Sequence, residues 1–286
     1  GMVSENDRES IRGTSTALYA LSVPPNVEYI ANIPYGKGGG RRLFLDVLRP
    51  RERPERPMSV LVWIHGGAWR TGNKESGIPR LAPYAARGYF CASVSYRFSQ
   101  EAVFPAQIED CKCAIRFLRA QAMRFHLDPE RIGVWGPSAG GHLVALLGTA
   151  PDIFQLEGSG GWPYYSSRVQ AVCDWFGPTD LLQMDRAGGM HHDAPDSPES
   201  QLIGAPIQER PDLVAQLNPI TYVTGDEPPF LIMHGDQDPT VPHHQSVLLY
   251  EALTRAGARE VTFHTLPGAG HGGPEFDAPE SLAMVA

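Results

Sequence analysis

A serine stands between two glycines in Gly136-Pro137-Ser138-Ala139-Gly140, after the apolar run Ile132 to Trp135 and before a helix-compatible stretch that reaches Gly148. A serine hydroxyl becomes a useful nucleophile when a sharp strand-to-helix turn exposes it to a base. Such a turn needs glycine on either side, because larger side chains would strike the adjoining elements. The pentapeptide alone is weak evidence: with 30 Gly in the chain, chance supplies about 0.2 matches. The strand-turn-helix context carries the inference. The start of the helix also offers unpaired N–H groups and the positive end of a dipole where an oxyanion would form.

Upstream, His65-Gly66-Gly67-Ala68-Trp69 closes the apolar run Val60 to Ile64. Two glycines after a buried strand let the loop turn its N–H groups toward a ligand. The N–H groups of Gly67, Ala68 and Ala139 are therefore the candidate oxyanion hole. Trp69 is read either as a wall of the substrate pocket or as core, and Trp135 as core. His271 lies in Gly268-Ala269-Gly270-His271-Gly272-Gly273, directly after the alternating run Val261 to Leu266, and gives the chain order serine, acid, histidine. The other histidines have plainer readings. His65 and His234 end strands, His142 is placed to brace the turn, and His243-His244 opens a helix as exposed surface. His191-His192-Asp193 lacks a third well-spaced ligand and is not read as a metal site. For the acid, the residues leave Asp180, Asp236 and Asp238 open.

The motifs HGGAW at 65–69, GPSAGGHLVAL at 136–146, HGDQDPTVP at 234–242 and PGAGHGG at 267–273 resemble the α/β-hydrolase superfamily. Within it they resemble the HGGxW-type carboxylesterases that include acetylxylan and feruloyl esterases, with kynurenine formamidase a more distant likeness. The resemblance runs over residues 27–275. It implies a serine carboxylesterase that hydrolyses small-acyl esters, of a small molecule or a plant polysaccharide, through an acyl-enzyme and without cofactor or metal. Its HGxxDxxVP pattern puts the acid at Asp238, which leaves Asp236 as a turn residue bonding its own backbone. Members of the group usually continue past the histidine loop into a full helix. Only Pro274 to Ala286 remains here, so the final helix is expected to be short or cut. An arylformamidase-like amide hydrolase would share the triad chemistry. A non-catalytic binder on the same fold is disfavoured, since Ser138, Asp238 and His271 are all present.

The elements that must position these residues follow from hydrophobic period. Val27 to Ile33 and Leu43 to Leu48 flank the turn Gly36 to Gly40 and read as an antiparallel hairpin. Val60 to Ile64, Phe90 to Tyr96, Ile132 to Trp135, Val169 to Phe176 and Phe230 to Met233 are apolar throughout, which suits strands covered on both faces. Ile108, Cys111, Ile115, Leu118, Ala122 and Phe125 trace one helix stripe, and Leu249, Leu253 and Ala256 another. The expected fold is α/β: a mainly parallel sheet of about eight strands with helices on both faces. Residues 178–227 are rich in Pro, Asp and Gln and read as a helical, lid-like insertion. Residues 1–26 read as a polar arm, and 27–286 as a single domain.

Length and composition agree with this reading: 286 residues, 42% hydrophobic and 20% charged, suffice for one large core. A net charge of −8, with no basic stripe, argues against nucleic acid as a partner. Cys91, Cys111, Cys113 and Cys173 fall in apolar runs and read as buried free thiols. No run of 18 apolar residues and no basic-then-apolar leader occurs, so no membrane association is expected and the expected location is the cytoplasm. Gly1 ahead of Met2 reads as a cleavage remnant. Nothing in the chain supports a homo-oligomer.

Overall fold

Neighbouring residues of β3 (Met58–Ile64) serve two different cores. Val60, Val62 and Ile64 belong to one cluster of buried apolar side chains, Leu61 and Trp63 to another. Successive side chains of a strand point to opposite faces, so a strand without polar alternation must be covered on both. The same division runs through β4 (Phe90–Val94), β5 (Leu127–Pro137), β6 (Ala171–Trp175) and β7 (Phe230–Gly235). With β1 (Val27–Gly38), β2 (Arg41–Pro50) and β8 (Val261–Leu266) they form one eight-stranded sheet, in the order β1-β2-β4-β3-β5-β6-β7-β8. From β4 to β8 neighbouring strands are parallel, and β2 runs antiparallel to both β1 and β4. The computed structural model describes residue 19, residues 22–187 and 190–278, and residues 281, 284 and 285. Most of the arm at 1–26 and much of the stretch after Pro274 lie outside the described residues.

Helices cover both faces, as expected. On one face α1 (Ile78–Ala86) supplies Ile78, Leu81 and Ala85 to the core that holds Trp63, Trp135 and Trp175. On the other, α2 (Ala106–Ala120) and α3 (Ala139–Thr149) join the core of Val62, Val134 and Ile232. The stripe read from Ile108 to Phe125 is divided. α2 ends at Ala120, a separate turn spans Ala122–Phe125, and His126 at φ +55° stops it. A left-handed residue cannot continue a right-handed helix, so the chain is released into β5 at that point.

The hairpin differs from its sequence reading. Its turn is shorter, because Gly36 and Gly38 are strand residues. A Cβ on Gly36 would stand 2.5 Å from Cys113 Sγ, and one on Gly38 would stand 2.5 Å from Arg97 Nε. Close approach, not a bend, requires these glycines. Residues 178–227 contain short helices, among them α4 (Pro198–Ile203) and α5 (Pro211–Leu217). The segment packs on α3 and on α6 (His244–Ala256). All four cysteines are buried and unpaired. Among the described residues, no helix is long and apolar enough to cross a membrane.

Candidate active site

Ser138 sits between β5 and α3 with φ +54° and ψ −119°. A non-glycine residue held there costs about 1–3 kcal/mol and persists only where its surroundings fix it. Ser138 N–H donates to Trp175 O at 2.8 Å, and Ser138 O accepts from His142 N at 3.0 Å. The flanking glycines are needed for space. A Cβ on Gly136 would lie 2.5 Å from Ile64 O, and one on Gly140 only 1.9 Å from the same atom. The end of β3 thus presses directly into the turn.

That contact also brings the upstream loop to the serine. A Cβ on Gly66 would meet Pro137 O at 2.9 Å and Ser138 Cβ at 3.5 Å. Gly67 has φ +117°, and a Cβ there would meet Thr71 O at 2.2 Å. Ala68 and Trp69 follow with φ +54° and +58°. The tight turn is closed by Arg70 and Thr71 N–H, which both donate to Gly67 O at 3.1 and 3.0 Å. Among the described residues, no backbone acceptor takes the N–H of Gly67, Ala68 or Ala139. Those donors remain available to a ligand oxygen.

His271 Nε2 lies 3.0 Å from Ser138 Oγ, and its Nδ1 lies 2.7 Å from Asp238 Oδ2. The Asp238 side chain is fully buried, whereas that of His271 is 22% exposed. An ionised carboxylate only accepts, so Nδ1 carries the ring proton and Nε2 presents its lone pair to the serine hydroxyl. Asp238 is held on every side. Oδ1 accepts from Thr240 and Val241 N–H at 2.8 and 2.9 Å, and Oδ2 also faces His234 Nε2 at 3.1 Å. Burial opposes its charge, but the bonds from His234, His271 and Val241 outweigh that and hold the carboxyl well below the usual carboxylate range.

The other acid candidates are engaged elsewhere. Asp180 accepts from Leu182 N–H and Gln183 Nε2 within its own turn. Asp236 bonds Gly268 N–H at 2.8 Å, tying the acid loop to the histidine loop instead of bonding its own turn as expected. Of the two readings of Trp69, pocket wall or core, burial favours core. It is 2% exposed, and its indole N–H donates to His142 Nδ1 at 3.1 Å, which makes it core.

Several supporting contacts carry no signal in local sequence. His142, read as a brace, donates from Nε2 to Leu217 O at 2.8 Å, so it joins the loop of Trp69 to the 178–227 segment. Burial lowers it to about 4, which keeps it neutral. Phe176 has φ +41° and packs its ring 4.5 Å from the His271 imidazole, limiting how that ring can tilt. His192 places Nδ1 2.7 Å from Glu199 Oε1 and Nε2 2.9 Å from Thr240 O. Thr240 is the residue whose N–H holds Asp238. His243 is half-buried and bonds Thr265 Oγ1 at 2.9 Å, so it is not open surface.

A strained serine turn fed by the longest central strand, with acid and histidine on loops after β7 and β8, defines an α/β-hydrolase. The family model described as BD-FAE matches residues 45–253, and the chain belongs to that family. Esterase LipQ of Mycobacterium tuberculosis (strain ATCC 25618 / H37Rv) is 34% identical over 251 residues, 86% of this chain and 58% of that protein. Esterase LipC of the same strain is 36% identical over 232 residues, 80% of this chain and 56% of that one. The chain thus spans a little over half the length of these curated relatives. A truncated form of a carbohydrate esterase from gut microbiota superposes with a TM-score of 0.81 at 35% identity, covering 90% of this chain and 93% of that one. A thermophilic esterase of Thermogutta terrifontis with propionate bound gives 0.73 at 25% identity, covering 91% and 92%.

Proposed function

We propose that this chain is a serine carboxylesterase in which Ser138 is the nucleophile, His271 the general base and Asp238 the residue that orients it. The observation that carries this reading is the unbroken chain of contacts from Asp238 Oδ2 through both nitrogens of His271 to Ser138 Oγ, at 2.7 and 3.0 Å. Similarity to named esterases supports the same class of reaction.

As Ser138 Oγ attacks the ester carbonyl carbon, its proton passes to His271 Nε2, and the carbonyl electron pair moves onto oxygen. The N–H groups of Gly67, Ala68 and Ala139 receive that oxyanion, and Asp238 stabilises the imidazolium. Collapse breaks the bond to the alcohol oxygen, which takes the proton from His271. Water then repeats the sequence on the acyl-enzyme and releases the acid. The substrate is a small-acyl ester, and the acyl group is carried by a saccharide hydroxyl, the class to which the carbohydrate esterase likeness points. The segment 178–227, docked on α3 through Leu217 O, shapes the entrance as a lid.

Turnover of para-nitrophenyl esters from two to twelve carbons, beside acetate release from acetylated xylan, tests this reading. Highest kcat/KM at two to four carbons, with acetate release from the polymer, is the expected result. Turnover of N-formylkynurenine with none of the esters, or no labelling of Ser138 by a fluorophosphonate, would overturn it.

A further inference from the structure

The loop between α3 and β6 lies far from Ser138. α3 begins beside the serine and runs eleven residues to Thr149, about 16 Å at 1.5 Å per residue. The loop therefore leaves and rejoins the sheet at the end where β6 starts, and its middle packs along α2 and against β1, where Gly160 O accepts from Lys37 N–H. It carries Phe154, Tyr164 and Tyr165, which are 86%, 96% and 44% exposed. Among the described residues these are the only exposed large aromatics, and they fall within twelve positions.

The loop is not loosely held. Three basic residues on one side of α2 bond its backbone. Lys112 Nζ donates to Ala150 O at 2.6 Å, Arg116 Nε to Gly161 O at 3.0 Å, and Arg119 to Ser166 O and Arg168 O. Trp162 turns inward and donates to Tyr35 O at 2.7 Å. An inward tryptophan and buried cations fix the frame, while its neighbours display their rings to water. Phe154, Pro163 and Tyr165 line a cleft of about 540 Å³. Its exposed charges are paired: Asp152 bonds Arg168 at the rim, and the carboxylate of Glu157 is held by the buried Lys112 and Arg116.

We infer that this loop is a secondary saccharide-binding surface, separate from the ester site, which takes neutral polysaccharide chains. Flat aromatic rings stack against the C–H faces of pyranose rings, while paired carboxylate and guanidinium groups at a cleft edge bond hydroxyls. A balanced rim suits an uncharged ligand and gives no attraction to a polyanion or an anionic membrane. Three aromatic side chains also fall short of the roughly 800 Å² per partner that a stable dimer buries. A rigid frame lowers the ordering cost of binding. The inference rests on the saccharide-ester reading above, since an anchor of this kind keeps an esterase beside a polymeric substrate.

Affinity gel electrophoresis of the full chain carrying Ser138→Ala, in gels containing neutral arabinoxylan or polygalacturonate, tests the surface without turnover. Retardation by arabinoxylan alone is expected, with the apparent Kd weakened about tenfold or more by Phe154→Ala with Tyr164→Ala. In a chain with Ser138 intact, the same pair should leave para-nitrophenyl acetate turnover within about twofold, since neither residue bonds the triad or the residues that hold it. Equal retardation of parent and variant, no retardation of either, or retardation by polygalacturonate would overturn the inference. So would a concentration-dependent shift in gel-filtration elution that the variant abolishes, which would assign the patch to a second copy. Loss of ester turnover with binding intact would instead sink the proposed function alone.

Discussion

Two histidines flank Ser138, one on each side of the elbow, and they are wired in opposite ways. His271 faces a hydroxyl through one nitrogen and a buried carboxylate through the other, and it is partly open to solvent. His142, four residues beyond the serine, lies fully buried between an indole N–H and a backbone carbonyl. The first arrangement can accept a proton at Nε2 and stabilise the resulting charge. The second cannot: its Nδ1 lone pair is already occupied, and burial lowers its affinity for a proton. What an imidazole does here is decided by its partners, not by its distance in sequence from Ser138.

The largest effect should come from the open side. Ser138→Ala is expected to reduce kcat on para-nitrophenyl acetate by about 10⁴ to 10⁶, because triad members act as a unit. The melting temperature should stay within about 2 °C, since the change removes one oxygen from a half-buried side chain. A large fall in melting temperature would mean that the hydroxyl also supports the fold, which would blur the contrast.

The buried side should respond in stability. His142→Ala leaves the Trp69 indole N–H and Leu217 O without partners, at roughly 1–3 kcal/mol each. Denaturation should show a loss of about 2–5 kcal/mol, with kcat of the folded fraction within about tenfold. His65, stacked on Tyr96 and also lowered to about 4 by burial, behaves alike. Both have folded values below the ordinary 6.5. The stability they contribute is therefore present above pH 6.5 and lost as pH falls through about 4. In urea, the midpoint of the parent should drop between pH 7 and pH 4.5, and His142→Ala should flatten that drop.

This division explains what sequence could reveal. Ser138 and His271 sit in short glycine-rich motifs at strand ends, where local chemistry and chain order single them out as candidates, whereas among Asp180, Asp236 and Asp238 only the family likeness of HGxxDxxVP favours Asp238. The strands are equally visible: β8 spans Val261–Leu266 as its alternation requires. The supporting residues have no such mark. Phe176 matters because its backbone is forced to φ +41° beneath His271, and Trp69 because its N–H meets a histidine 73 positions later. Both facts are made by packing. The glycine run at 36–40 misled for a related reason, since a glycine needed for close approach looks like one needed for a bend.

Asp174 sharpens the contrast from beneath the elbow. Its Oδ1 accepts from Gly177 N–H at 3.0 Å, while Oδ2 is buried without a partner. Burial raises it to about 8, above its ordinary 3.8. A raised folded value means that stability is full below pH 3.8 and declines as pH rises through about 8. Asp174→Asn removes that decline. At pH 9 the variant should be more stable than the parent by on the order of 3 kcal/mol, and near pH 4 the two should converge. A parent-level midpoint at pH 9 would show that the carboxyl ionises in place.

The smallest effect belongs to His192, which links the two regions. Both of its nitrogens face groups that only accept, the Glu199 carboxylate and Thr240 O, so the ring must carry both protons. Burial opposes that charge, but the bond to Glu199, its negative charge and the Thr240 carbonyl outweigh it and raise the imidazole above its ordinary value. Its contribution is therefore full below pH 6.5 and fades as pH rises through the raised folded value. Because Thr240 N–H also donates to Asp238 Oδ1, loosening His192 frees the peptide that steadies the acid. His192→Gln should lower kcat about two- to fivefold at pH 7 and leave KM unchanged, because it disturbs only how Asp238 holds His271. The deficit should shrink as pH rises through the raised folded value, where the parent ring itself gives up the second proton. A deficit constant across pH would mean that packing, not the second proton, is what His192 contributes.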